Sequence, residues 1–209
     1  MEFDKLIVSF LVDEVVGGFF VNVPPGHVAC IHDLGRGVLK KTWKPGLHLK
    51  IPFWQRAKLF NAQVLEYLIR HDVDLSSEEG MGDEAITGKT SDGSNIQLEG
   101  SILLKIDKSR ASGLWENIGD NFVSKIVRPV ARSRIRSVLS EVSLDQLMSY
   151  RTQVEEKIKV ELNKIYTQSG IICDDFLLSE VKDLGDLKTA EDDKVIFSEK
   201  SKKAKKKKK

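Results

Sequence analysis

The chain has 209 residues, enough for one domain of ordinary size with short appendages. Apolar residues make up 41% and charged ones 31%, which fits a soluble globular body and argues against a polytopic membrane protein. The net charge of +2 hides an uneven distribution: eight of 33 basic residues lie in the last ten positions, and without them 25 basic face 31 acidic residues, so a nucleic-acid-binding body is disfavoured.

Residues 1–20 read as a helix with a narrow polar stripe. Ser9, Asp13 and Gly17 fall four apart, while Leu6, Ile7, Phe10, Leu11, Val15, Phe19 and Phe20 fill a broad apolar face. Asp13 and Glu14 sit near the middle, and each acid would cost roughly 2.5–3.5 kcal/mol at a bilayer centre. Such a segment suits the membrane interface, with its acids among the headgroups; packing on the domain core is the alternative. Pro24-Pro25-Gly26 then marks a turn, and His27–Asp33 reads as a short strand ended by Gly35-Arg36-Gly37. Pro45-Gly46 opens another strand, Leu47-His48-Leu49-Lys50-Ile51, which Pro52 stops, and residues 63–69 make a third. The glycine-rich acidic stretch 76–93 reads as a loop around a short strand at 85–89. The clearest strand follows: Ile96, Leu98, Ile102, Leu104 and Ile106 alternate with polar residues, with Leu103 the exception.

The second half is helical. Ser109 is the expected N-cap of a short helix through Trp115. Val127, Ala131, Ile135, Val138 and Val142 repeat at helical spacing within 121–142, with Pro129 near the start. Another helix over 151–168 turns Val154, Ile158, Leu162 and Ile165 inward, Gly170 is its expected C-cap, and 171–181 reads as a final strand. Beyond Lys182 apolar content falls, and 198–209 is a basic run expected to be disordered. Strands first, helices later and one strand last predict an α+β domain.

Motifs for chemistry are weak. Gly88-Lys89-Thr90 resembles the end of a phosphate loop, but Asp83 stands where that loop needs glycine, and a strand follows rather than a helix. Cys30, His32 and Asp33 lack a group to orient the histidine and an oxyanion donor. His27, His32, His48 and His71 show no zinc spacing, and two cysteines, Cys30 and Cys173, make no disulfide framework. No catalytic residue, cofactor or metal site is therefore predicted, and the chain reads as a binding or scaffolding protein. Arg128, Arg132 and Arg136, four apart on one helix flank, are either a solvated face or a docking surface for the acidic face of a neighbouring subunit. Specific nucleic-acid binding is disfavoured, because no aromatics are interleaved among them.

Taken together, Val23-Pro24-Pro25-Gly26-His27-Val28-Ala29, the Gly35-Arg36-Gly37 turn, Pro45-Gly46-Leu47-His48-Leu49-Lys50-Ile51-Pro52-Phe53 and Thr90-Ser91-Asp92-Gly93 resemble the SPFH (band 7, prohibitin homology) domain. Downstream, Gly119, Val127, Pro129, Arg132, Arg136, Arg151, Gly170, Asp174 and Val181 follow the spacing of prohibitin-like members, the branch this chain resembles ahead of stomatin and flotillin. The resemblance implies a non-enzymatic, membrane-associated scaffold that assembles into rings or cages, organises lipids or membrane proteins, and restrains proteases. It divides the chain into a membrane-associating segment at 1–20, an SPFH domain at 21–182 and a tail at 183–209. The family's long coiled coil has no counterpart in the 27 residues after Lys182, so assembly is expected through domain contacts, as a homo-oligomer or with a longer paralogue. Lys205, Lys206, Lys207, Lys208 and Lys209 supply a second membrane signal, each lysine adding on the order of 1 kcal/mol at an anionic surface. Nuclear import, attraction to RNA or an appended tag are the other readings of that tail.

Overall fold

The computed structural model describes residues 18–71 and 82–185. It has the predicted α+β class: strands occupy the N-terminal half, helices most of the C-terminal half, and one long strand follows them. The chain divides into two compact units. The first takes in the described residues up to Glu66, Leu103–Val130 and Leu162–Asp174; the second takes in Tyr67–Ile102, Ala131–Glu161 and the chain from Asp175.

In the first unit, β2 (His27–Asp33) lies between β3 (Gly37–Val38) and β5 (Gln55–Asn61), antiparallel to both. Val28, Ala29, Cys30 and Ile31 are all buried, so β2 is covered on both faces. The short helix α1 (Ala111–Asn117) packs on it, and Trp115 meets His32 and Phe60 edge-on at 6.4 Å. Among the described residues β1 (Phe20–Val23) pairs only with β4 (Gly46–Leu49), forming a two-stranded ribbon. The helix predicted to reach Phe20 therefore ends earlier: Gly18 and Phe19 are helical, but Phe20 already pairs with Leu49. β5 was not predicted. Arg56-Ala57-Lys58-Leu59 alternates only briefly, with small or polar residues on much of its length, and the segment forms a strand by pairing with β2 along all seven residues.

β9 (Asn95–Ile106) carries the predicted alternation, with Ile96, Leu98, Ile102, Leu104 and Ile106 all buried. β9 and β10 (Ile171–Asp183) each run from one unit into the other. The sheet containing them has the order β10-β9-β6-β7, with β6 (Leu65–Ile69) and β7 (Gly82–Asp83) parallel and β8 (Ile86–Lys89) forming a hairpin on β9. Gly100 permits the close approach in this sheet, since a Cβ there would lie 2.5 Å from the Leu177 carbonyl oxygen.

Helix α2 (Arg128–Glu141) buries Ala131, Ile135, Val138 and Leu139. It does not extend back to 121 as regular α-helix. A π-turn at Val123–Val127 precedes it, in which Arg128 N–H donates to Val123 O. Pro129 explains the widening, because its ring would meet the Lys125 carbonyl in an α-turn. Helix α3 (Leu144–Ser149) opens on a capping box between Ser143 and Gln146. Helix α4 (Arg151–Tyr166) buries Val154, Ile158, Leu162 and, in place of the half-buried Ile165, Tyr166, whose hydroxyl donates to Val127 O at 2.9 Å. A 3₁₀ turn at Thr167–Ser169 ends on Gly170, φ 77°, the predicted cap. The predicted Ser109 cap is replaced: Arg110 is the N-cap, and Ser109 gives both its N–H and hydroxyl to Asp107.

Candidate interaction surface

The arginine stripe lies on α2, and much of it is used within the molecule. Arg132 forks onto Asp83 of β7, Nε to Oδ2 at 2.5 Å and Nη2 to Oδ1 at 2.7 Å, with Asp83 only 4% exposed. This two-bond match is the strong form of the arginine–carboxylate pair and keeps the guanidinium charged. Arg136 Nε donates to the Thr87 carbonyl at 3.0 Å on β8, and Arg128 is half-buried and also engaged. The stripe thus ties α2 to two strands, and docking on a neighbouring subunit would use only the N–H groups left over.

The reactive candidates hold turns and core. Cys30 is fully buried, and burial pushes its thiol up, opposed in part by the Ser112 hydroxyl, so the nucleophilic thiolate is disfavoured. His48 stacks on Trp43 at 5.0 Å and its Nε2 lies 2.7 Å from the Lys44 carbonyl; His27 Nδ1 lies 3.1 Å from that of Pro25. Among the described residues no three metal-ligating side chains converge.

The feature that stands out is apolar and exposed. On the β1–β4 ribbon, Phe20 faces Leu49 across the strands, and Leu47 shares a face with Leu49; both leucines are 67% exposed. Lys50 N–H donates to Phe19 O at 2.7 Å, and Phe19 and Ile51 continue the exposed row. The chain then turns tightly. Trp54 N–H donates to Pro52 O at 2.7 Å across Phe53, whose φ of 62° is the left-handed conformation of a γ-turn and whose ring is 87% exposed. Leu34 N–H reaches Trp54 O at 3.0 Å, which joins the backbones of two residues whose side chains are both more than half exposed.

A buried carboxylate fixes this tip. Asp33 accepts from Gln55 Nε2 at 3.0 Å, from the Gly35 and Arg36 N–H groups at 3.0 and 3.2 Å, and from Arg36 Nη2 at 3.3 Å. These donors, Gln55 first, hold its carboxyl at about 2 despite its burial. Gln55 also accepts the Ile51 N–H through Oε1 at 3.1 Å, so one side chain joins the β2–β3 turn to the tip.

Of the predicted membrane residues, Phe19 and Phe20 lie on this surface; Leu6, Ile7, Phe10, Leu11, Val15 and Lys205 through Lys209 fall outside the described residues. Leu47, Leu49, Ile51, Phe53 and Trp54 were missed. The alternation of Leu47, Leu49 and Ile51 reads as a strand without showing which surroundings its apolar face meets, and the one available signal for the tip is the aromatic pair Phe53-Trp54 directly after a strand-ending proline. No described helix is long and apolar enough to cross a membrane.

The sequence pattern of the SPFH domain / Band 7 family matches residues 21–209. The chain is 21% identical over 169 residues to prohibitin-2, mitochondrial, of Arabidopsis thaliana, covering 77% of this chain and 54% of that protein. It is 20% identical over 191 residues to prohibitin-7, mitochondrial, of the same plant (91% and 63%), and 23% identical over 167 residues to prohibitin 1 of Mus musculus (80% and 56%). It thus spans a little over half the length of these relatives. With a match that runs from the ribbon through every later element, the chain belongs to the SPFH domain / Band 7 family.

Proposed function

We propose that this protein is a non-catalytic, membrane-associated scaffold of the prohibitin type, which attaches peripherally or monotopically and organises membrane proteins or lipids as an oligomer. Residues 1–20 form the first membrane-associating element, 21–182 the SPFH domain, and 183–209 a basic tail that meets anionic lipid. Assembly joins copies of this chain to each other or to longer members of the family, and membrane proteins or proteases are the clients this class implies. Family membership supports the reading, but the observation that carries it is the β1–β4 ribbon, whose exposed apolar face continues directly from Phe19 and Phe20. A patch of this kind on a soluble body marks an interaction site.

Flotation of the full chain with vesicles of phosphatidylcholine and phosphatidylserine tests it, combined with light scattering with and without detergent. Co-flotation at low salt, weakened at high salt, is expected. A chain that stays at the bottom of the gradient at low salt overturns the reading. Large lipid-free assemblies that persist without detergent would instead identify a soluble shell or adaptor subunit, its ribbon covered by a neighbour.

A further inference from the structure

We propose that the turn at residues 51–54, with Leu34 beside it, is a preformed wedge that inserts into an anionic bilayer surface, so that the folded domain contributes lipid selection of its own. The proposal rests on the membrane reading and adds a site to it.

Three independent observations point the same way. The first is conformational. Phe53 is held at φ 62°, a conformation costly for a bulky side chain, yet its ring packs against almost nothing. Strain of this kind persists only where surrounding bonds over-determine it, and here Asp33 and Gln55 supply them from below. The second is chemical. A tryptophan beside a phenylalanine at an exposed tip suits the bilayer interface, where one edge of the indole is apolar and its N–H stays wet.

The third is charge. Residues 18–65 carry seven lysines and arginines but a single acid, Asp33, which is buried beneath the tip. Lys50 and Arg56 lie within two residues of the tip's apolar side chains, as does Arg36, which is 71% exposed but gives Nη2 to Asp33 at 3.3 Å. Lys58, further along β5, is paired with Asp120 at 2.9 Å. A chain whose body is net acidic has thus concentrated positive charge around its most exposed aromatic groups. Apolar insertion plus surrounding cations is the two-signal arrangement that anionic membranes hold stably. A neutral bilayer or an acidic protein surface would use only one of the two.

Phe53→Gly in the full chain separates binding from folding, because glycine adopts φ 62° without strain. Its melting temperature should equal or exceed that of the unaltered chain, while its partitioning to phosphatidylserine-containing vesicles falls about tenfold. Brominated phospholipids should quench part of the tryptophan emission, and Trp54→Phe should abolish that quenching while Trp43 and Trp115 remain. Unaltered partitioning of Phe53→Gly, or quenching that survives in Trp54→Phe, overturns the wedge while leaving the membrane reading intact. Failure of the unaltered chain to bind any vesicle overturns both. Lipid-free, concentration-dependent shielding of Trp54 would assign the tip to a second copy and likewise overturn the proposal.

Discussion

Two apolar rows in this chain look alike on paper and end in opposite surroundings. Ile96, Leu98, Ile102 and Leu104 of β9 alternate with polar residues, and so do Leu47, Leu49 and Ile51 in and just beyond β4. The β9 set is buried, whereas the β4 set is more than half exposed. The difference lies in the strands' company. Among the described residues β9 pairs with β8, β6 and β10, while β4 pairs with β1 alone. A two-stranded ribbon cannot close a core over its own apolar face, so alternation reveals that a face is apolar without revealing what covers it.

The sharpest way to break this comparison is to truncate one leucine in each row. Leu98→Ala should lower unfolding stability by about 2–5 kcal/mol, the range for emptying a buried leucine site. Leu49→Ala should stay within about 0.5 kcal/mol while weakening flotation with anionic vesicles. Paired urea titrations decide it. Comparable losses for the two would mean that the ribbon face is covered in solution, by another subunit or another part of the chain.

A smaller effect is expected at the arginine stripe. Arg132→Ala leaves the Asp83 carboxylate without its fork in a buried position. Loss of a buried partner costs about 3–5 kcal/mol, which the partial exposure of Arg132 reduces to about 2–3 kcal/mol. The companion change Arg132→Met with Asp83→Leu should recover much of that loss. Vesicle binding should be unaffected in both variants. A variant that kept its stability but lost its oligomeric state would instead place Arg132 at a subunit contact, with the fork to Asp83 of little energetic weight.

What the sequence disclosed follows from how local each signal is. β9 and α2 were legible because their periodicity is internal to the element, and Gly170 because a left-handed cap demands glycine. The α3 capping box was equally readable at Ser143 and Gln146 and was overlooked. The Ser109 cap failed because Asp107, two residues earlier, takes that side chain, a competition that spacing alone does not rank. β4 was legible as a strand between Pro45-Gly46 and Pro52, but its pairing with β1 and the exposure of its apolar face were not, and β5 was not predicted, since each of these depends on a partner strand rather than on a local pattern. The same blindness hid the tip, where Phe53 and Trp54 look like core residues until the turn is seen to hold them outward.

The subtlest prediction concerns the carboxylate beneath that tip. The folded state holds Asp33 at about 2, below its ordinary value of 3.8, so ionised Asp33 favours folding. That contribution is complete above pH 3.8 and fades as pH falls towards 2, when the carboxyl takes up a proton and its hold on Gln55 and the Gly35 and Arg36 N–H groups weakens. Across this window the tip should loosen before the β9 core melts, since the bonds Asp33 accepts come from Gln55, Gly35 and Arg36 and not from β9. Iodide quenching of Trp54 in a chain carrying Trp43→Phe and Trp115→Phe would report the loosening as a rise in accessibility. Asp33→Asn should show high accessibility at neutral pH and no further rise on acidification. If the unaltered tip and the Asp33→Asn tip titrate alike, the carboxylate does not hold the turn, and the restraint on Phe53 must come from the backbone bonds between Pro52, Trp54 and Leu34.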